Sequence, residues 1–109
     1  MPNFKRLRIS DPARKDLQRI GEYTRREWGV AQKRKYLSQI KDGFKEIIDT
    51  PGIGASRDDI AAGLRAFPVR KHIVFYRVTR NEVAVVRVLH ASMSPDRHIG
   101  SRPERTLEN

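Results

Sequence analysis

Cysteine is absent from the 109-residue chain, and this absence excludes several kinds of chemistry at once. Without thiols the chain has no disulfide, no thiolate zinc site and no cysteine nucleophile. A protein without disulfides suits a reducing compartment, so we expect a cytoplasmic location. Long apolar runs are also missing. The longest, residues 73–76 and 83–86, are far too short for a membrane span or a signal-peptide core. We therefore expect a soluble protein with no membrane partner.

Acidic residues are scarce in two segments, although the chain as a whole contains both signs of charge. The formal net charge is +10. Residues 1–10 contain three basic residues and no acidic one, and residues 61–90 contain six basic residues against a single acidic one, Glu82. Residues 11–49 mix both signs, which is typical of solvated helix surfaces. A surface that carries mainly positive charge attracts an anionic partner, either a nucleic acid or an acidic polypeptide.

The spacing of apolar residues predicts a short strand followed by two helices. Residues 3–9 alternate in character, and Ser10 is a candidate N-cap with proline close behind it. One apolar stripe extends over residues 13–28, and Gly29 ends that helix in a left-handed conformation. A second stripe extends over residues 36–48. Because the connection is so short, the two helices must form an antiparallel hairpin.

Three further strands are predicted after a loop at residues 52–62. They span residues 64–69, 71–79 and 83–90. The order β-αα-βββ predicts an α+β fold, with an all-antiparallel four-stranded sheet and the helical hairpin on one face. The other face is expected to be open. We expect residues 1–99 to form a single domain and residues 100–109 to form a flexible C-terminal tail.

Two arginines lie inside the predicted strands, where cations are unusual. If the last tight turn centres on residues 80–81, residue 77 faces residue 84 and residue 71 faces residue 90. This register places His72, Tyr76 and Arg87 together on the open face. A strand arginine is costly to bury without a carboxylate, and the chain has few acids near the sheet. Arg77 and Arg87 should therefore each meet a carboxylate, either within the chain or from a partner, and our hypothesis is that acidic residues of a partner complete these pairs.

Three segments resemble the ParE toxins of type II toxin–antitoxin modules, which belong to the RelE/ParE superfamily. The segments are YTRREWGVAQKRKYL (23–37), HIVFYRV (72–78) and VLHASMSPDRHI (88–99). The resemblance covers nearly the whole chain, and the β-αα-βββ order of the family agrees with the order predicted above. It implies a small basic toxin that a ParD-like acidic antitoxin holds inactive in a heteromeric complex. It also implies a non-enzymatic poison that binds DNA gyrase and stabilises its cleaved-DNA state, with no cofactor or metal.

The resemblance and the charge pattern together suggest two sets of binding residues. Those expected to bind the antitoxin are Arg65, His72, Tyr76, Arg77 and Arg87. Those expected to bind the target are His90, Met93, Arg97 and His98, in and after the motif that closes the last strand. The family often has an acid directly after the methionine, where this chain has Ser94.

The RelE branch of the superfamily provides the alternative function, a ribosome-dependent mRNA endoribonuclease. Its acid, base and phosphate-binding cations would come from Arg65, His72, Arg77, Arg87 and His90. Against this alternative, no aromatic residue follows Tyr76, although RNA-binding surfaces commonly stack bases on aromatic rings.

The histidines, the helical aromatic residues and the positive charge also have interpretations that require no specific site. His72, His90 and His98 contain no i,i+4 pair and make a weak metal site. The helical aromatics are expected in the core because they lie on or near the apolar stripes; they are Tyr23, Trp28, Tyr36 and Phe44. A nucleic-acid-binding module is the weakest interpretation, since no such motif accompanies the charge. We therefore expect no sequence-specific nucleic-acid binding by the protein alone.

Overall fold

The computed structural model describes residues 5–99, in which a helical hairpin packs on one face of a mixed sheet. Helix α1 (Asp11–Trp28) begins where the side chain of Ser10 accepts a hydrogen bond from the Ala13 N–H at 3.1 Å. Gly29, with φ at 94°, ends α1 and leads directly into α2 (Val30–Asp49). The predicted hairpin and its capping residues are confirmed. Within residues 5–99, no helix combines the length and apolarity needed to cross a membrane.

In the described part of the chain the sheet has five strands, in the order β1-β5-β4-β3-β2. The strands are β1 (Arg6–Ile9), β2 (Ala55–Ser56), β3 (Arg65–Val69), β4 (His72–Val78) and β5 (Glu82–His90), and a one-turn helix α3 (Pro95–His98) follows. The α+β class and the β-αα-βββ order are confirmed. The four-stranded, all-antiparallel detail is wrong, because β1 pairs with β5 in parallel.

The two-residue strand β2 explains this difference in direction. It lies inside the segment predicted as a loop and pairs antiparallel with β3, Ala55 opposite Ala66. It therefore adds one reversal of the chain between the helical hairpin and β3. All later strands run opposite to the expected direction, and β5 comes to lie parallel to β1. Two residues without an alternating pattern give no periodic signal that sequence could reveal.

A register shift in the β4–β5 hairpin changes which residues meet at its far end. Near the turn, Arg77 faces Ala84 as predicted. Between Phe75 and Tyr76 the pairing shifts by one residue, so that His72, rather than Lys71, faces His90. A one-residue insertion in one strand changes the side of the sheet on which every later side chain lies. The predicted faces therefore hold only on the turn side of the shift.

Apolar clusters cover both faces of the sheet, so the predicted open face is wrong for the middle of the sheet. The main core lies between the helices and the sheet and includes Ile40, Phe44 and Val85. A smaller core covers the opposite face, where Ile60, Leu64 and Ile99 pack against Phe75 and Leu89. The loop before β3 and Ile99, the residue directly after α3, supply this cover. The predicted tail at residues 100–109 and the start of the predicted first strand, residues 3–4, lie outside the described residues.

Candidate partner-binding groove

A groove of about 1100 Å³ lies between the tip of the helical hairpin and the end of the sheet where β4 begins and β5 ends. We call it the groove. It is lined by Asp16, Arg19, Ile20, Tyr23, Thr24, Trp28, Gln32, Tyr36, Gln39, Arg70, Lys71, His72, Arg87, Val88, Leu89, His90, Met93 and His98. The structure thus gathers five predicted site residues in one place. These five are His72, Arg87, His90, Met93 and His98.

Exposed apolar side chains form the outer walls of the groove. Trp28 is 69% exposed, Tyr23 56% and Met93 37%. The prediction that Tyr23 and Trp28 belong to the core is wrong, although it holds for Phe44. Burial along α1 continues through Ile20 and Thr24 and stops there, so the last turn of the helix has no core to pack against. Large exposed apolar side chains clustered beside a concavity mark a protein-binding surface.

An ion pair between Asp16 of α1 and Arg87 of β5 lies at the base of the groove. Arg87 donates from Nε to Asp16 at 2.7 Å and from a terminal nitrogen at 2.8 Å. Asp16 is only 5% exposed and also accepts from the backbone N–H of Val88 at 2.9 Å. The hydrogen bond that Arg87 donates to Asp16 raises the pKa of Arg87, so the guanidinium stays charged. Arg87 therefore has a carboxylate within its own chain, and the expectation that a partner supplies one is wrong.

Sequence reasoning missed Asp16, although a signal for it was present. Asp16 is three residues after Ala13 and four before Ile20, both of which are buried on the same side of α1. A carboxylate within an apolar stripe must find a cation, because burying it alone is costly. The pattern therefore indicated an internal partner for one of the strand arginines.

One wall of the groove contains three rings that meet edge to face, those of Tyr36, His72 and His90. The Tyr36 hydroxyl lies 2.6 Å from Nδ1 of His72 and accepts a hydrogen bond from the Lys71 N–H at 3.2 Å. Burial raises the pKa of Tyr36, so the hydroxyl stays protonated and can donate a hydrogen bond to Nδ1 of His72. The rings of His72 and His90 meet edge to face, with centroids 5.3 Å apart.

His72 is neutral near pH 7 for clear physical reasons. Burial, with a smaller contribution from His90, lowers the pKa of His72 to about 4, although the charge of Asp16 opposes this. The tautomer in which Nδ1 accepts from the Tyr36 hydroxyl carries its proton on Nε2. A neutral imidazole in this position adds a polar and aromatic surface to the groove and does not add a cation.

The predicted target-binding residues lie at the mouth of the groove and beyond it. His90 ends β5 and is exposed, with Nδ1 2.8 Å from the hydroxyl of Ser92. Arg97 and His98 are exposed on α3. The backbone carbonyl of His98 accepts from Arg87 at 3.0 Å, which ties α3 to β5. His90, Met93 and His98 thus share one surface, while Arg97 does not line the groove.

Three residues predicted to bind the antitoxin lie away from the groove. Arg65 donates to the carbonyl of Gly54 at 2.6 Å, and Arg77 donates to that of Ala62 at 3.1 Å. Tyr76 is fully buried in the main core, which corrects its predicted position on an open face. The Tyr76 hydroxyl instead supports the loop before β2, donating to Pro51 O at 2.7 Å and accepting from Gly54 N at 2.8 Å.

The rim of the groove is basic. Arg19, Arg70 and Lys71 are exposed around it, and among residues 5–99 the one carboxylate that lines it, Asp16, is already paired with Arg87. Apolar walls with a cationic rim can bind an amphipathic polypeptide whose polar side is acidic. Of the five residues proposed for an endoribonuclease, Arg65 and Arg77 lie outside the groove and Arg87 is paired with Asp16.

Comparison with known proteins identifies the family. Residues 7–95 match the family model described as ParE toxin of type II toxin-antitoxin system, parDE. The chain is 36% identical over 97 residues to Toxin ParE1 of Caulobacter vibrioides, covering 89% of this chain and 100% of that protein. It is 35% identical over 86 residues to Toxin ParE of Escherichia coli, covering 78% of this chain and 84% of that protein.

Solved structures share the fold at lower sequence identity. A chain of the chromosomal ParDE TA system from P. aeruginosa superposes with a TM-score of 0.70 at 20% identity, covering 80% of this chain and 96% of that chain. A chain of the toxin–antitoxin complex RelBE2 from Mycobacterium tuberculosis gives a TM-score of 0.59 at 17% identity, covering 85% of this chain and 98% of that chain. The family match extends from β1 to the first residue of α3. The chain therefore belongs to the ParE toxin family of type II toxin–antitoxin systems.

Proposed function

We propose that a ParD-like acidic antitoxin neutralises this toxin by placing an amphipathic segment in the groove. The observation that carries the proposal is the cluster of exposed apolar side chains, Tyr23, Trp28 and Met93, beside a cationic rim. An acidic segment would bury these side chains and offset the charge of Arg70 and Lys71. Membership of a toxin–antitoxin family supports this partner class.

We further propose that the free toxin inhibits DNA gyrase by binding and stabilising its cleaved-DNA state, without turnover of its own. This target class is the one that the resemblance to ParE toxins implies, and the family match supports that resemblance. The neutral state of His72 and the internal pairing of Arg87 support a binding role over acid–base cleavage. On this proposal, Met93, His90 and α3 remain the candidate target contacts, with Arg97 and His98 at their outer end.

Substitutions at the groove test the antitoxin proposal. Trp28→Ala removes a large exposed ring and should weaken antitoxin binding by about 2 kcal/mol or more, as expected for a buried aromatic at an interface. Ile53→Ala is the control, because Ile53 is also exposed and apolar but does not line the groove. Calorimetry with the purified antitoxin measures both. Equal affinities for the two variants would rule out the groove.

Two activity assays with the same toxin preparation distinguish gyrase inhibition from mRNA cleavage. The toxin should inhibit supercoiling by gyrase and increase cleaved DNA, and the antitoxin should reverse both effects. The same preparation should leave messenger RNA intact in a translating extract. Codon-linked mRNA cleavage with undisturbed supercoiling would overturn the gyrase proposal and support the endoribonuclease instead.

A further inference from the structure

Three arginines share one corner of the outer sheet face, opposite the helices. Arg8 of β1 and Arg77 of β4 both pair in register with Ala84 of β5, which lies between them. Arg6 precedes Arg8 by two residues and so lies on the same side of β1. We call Arg6, Arg8 and Arg77 the arginine face. Ala84 has a small side chain, so nothing large separates the guanidinium groups.

The surroundings of the arginine face are also basic. Lys5 donates to the carbonyls of Thr79 at 2.9 Å and Arg80 at 2.7 Å, which fixes its ammonium group beside the β4–β5 turn. Glu82 is the acidic residue at this corner, and it accepts from Nε of Arg8 at 2.9 Å. Four cations, Lys5, Arg6, Arg8 and Arg77, thus lie at a corner where Glu82 is the paired carboxylate.

Hydrogen-bonding capacity remains for a ligand. Within residues 5–99, Arg8 and Arg77 use only their Nε atoms, toward Glu82 and the carbonyl of Ala62. Their terminal nitrogens are left for another acceptor, and the planar fork of a guanidinium fits a phosphate group well. Strand spacing sets the backbones of Arg8 and Arg77 about 10 Å apart, and those of Arg6 and Arg8 about 7 Å apart.

The chemistry of this corner differs from that of the groove. The groove combines exposed aromatic and apolar side chains with cations, as a polypeptide partner requires. At the arginine face the neighbouring aromatic residue, Phe75, is buried, and Ala84 offers little apolar contact. Among the described residues, the face presents no exposed aromatic ring on which a base could stack and no projecting helix that could enter a groove, so the expected ligand is a polyphosphate backbone.

We propose that the arginine face binds the phosphate backbone of duplex DNA without regard to sequence. This inference rests on the proposed function, because a toxin that stabilises the cleaved-DNA state of gyrase acts beside duplex DNA. Arg77 lies five residues along β4 from His72, about 16 Å from the groove end of the strand. The two surfaces can therefore contact a protein and DNA at the same time.

Salt dependence of DNA binding tests the proposal. Fluorescence anisotropy would follow the toxin binding a labelled random-sequence duplex across a range of salt concentrations. In the variant R6Q/R8Q/R77Q, the slope of log K against log salt should fall by about 0.9 for each lost contact, hence about 2 to 3 in all. Glutamine keeps a donor at each position, and unchanged circular dichroism would confirm the fold.

A variant with the same change in net charge provides the control. Arg14, Arg34 and Lys45 are exposed on the helices, and R14Q/R34Q/K45Q should change the slope by less than about 1. Equal slopes for the two variants would overturn the proposal, because only bulk charge would then matter. Loss of antitoxin binding by R6Q/R8Q/R77Q with unchanged DNA binding would also overturn it, and would assign the face to the antitoxin.

Gyrase inhibition by the wild-type toxin keeps this test separate from the proposed function. If the wild type inhibits gyrase but both variants bind DNA equally, the DNA inference alone fails. If the wild type binds DNA through the arginine face but leaves gyrase active, the proposed function fails and the DNA site stands.

Discussion

Removal of Arg87 should destabilise the protein far more than removal of an exposed arginine. The variant Arg87→Met keeps most of the side-chain volume but leaves Asp16, which is 5% exposed, without its main cation. Breaking a buried pair from one side typically costs about 3–5 kcal/mol, because an uncompensated charge remains. The Val88 N–H at 2.9 Å and the exposed Arg19 at 3.3 Å still contact Asp16. We therefore expect the lower end of that range, about 3 kcal/mol.

A double-mutant cycle isolates the pair itself. Asp16→Asn keeps an oxygen that can accept from Val88 N but removes the charge. Each single variant leaves one charged partner behind, whereas the double variant leaves none. Its loss of stability should therefore be smaller than the sum of the single losses by more than about 1 kcal/mol.

Urea unfolding followed by circular dichroism at pH 7 measures all of these free energies. Arg25→Met is the matched control, because both partners of the Arg25–Glu22 pair are exposed and the pair should contribute little to stability. Two outcomes would refute the reasoning. One is an Arg87→Met variant as stable as Arg25→Met, and the other is a pair of single losses that add without coupling.

Three further predictions concern other parts of the fold. Gly43→Ala should destabilise the protein by about 1–3 kcal/mol, since a Cβ there would meet Cγ2 of Val69 at 2.5 Å. Gly21→Ala should be neutral or stabilising, because its Cβ would meet only the flexible ends of side chains, and thermal unfolding compares the two variants. Tyr76→Phe should cost about 1–3 kcal/mol by leaving two backbone groups of the loop before β2 without their partner, and an unchanged urea midpoint would contradict this. Because the pKa of His72 is lowered to about 4 in the folded state, the unfolded chain binds protons more readily as pH falls from about 6.5, so the free energy of unfolding should decline between pH 6.5 and about 4. His72→Gln should flatten this decline in urea titrations. Parallel pH profiles for the variant and the wild type would show that His72 is not responsible.

Local patterns predicted the helical hairpin well because each signal in it is short-range. The Ser10 cap, the apolar stripe of α1 and the positive φ of Gly29 each depend on residues within a few positions of one another. The resemblance of three segments to ParE toxins then gave the family, and the family match over residues 7–95 confirms it. Contacts between distant segments were harder to predict, because no local pattern records them.

The two errors with functional consequences both come from such contacts. The shift between Phe75 and Tyr76 changes the pairing at the groove end of the hairpin, so His72 and not Lys71 meets His90. Asp16 reaches Arg87 across 71 positions of sequence, and this pairing supplies within the chain the carboxylate that sequence reasoning expected from a partner.

These two contacts also give the groove its chemical character. Because Asp16 neutralises Arg87 and His72 is held neutral beside Tyr36, the base of the groove carries little net charge, while its rim keeps Arg70 and Lys71. A partner would gain apolar contact at the centre of such a surface and electrostatic attraction at its edge. Desolvated contacts control how slowly a complex dissociates, and exposed charges control how fast it forms. On this basis, substitutions at Trp28 should act on the dissociation rate of the antitoxin, and substitutions at Lys71 should act on its salt-dependent association rate.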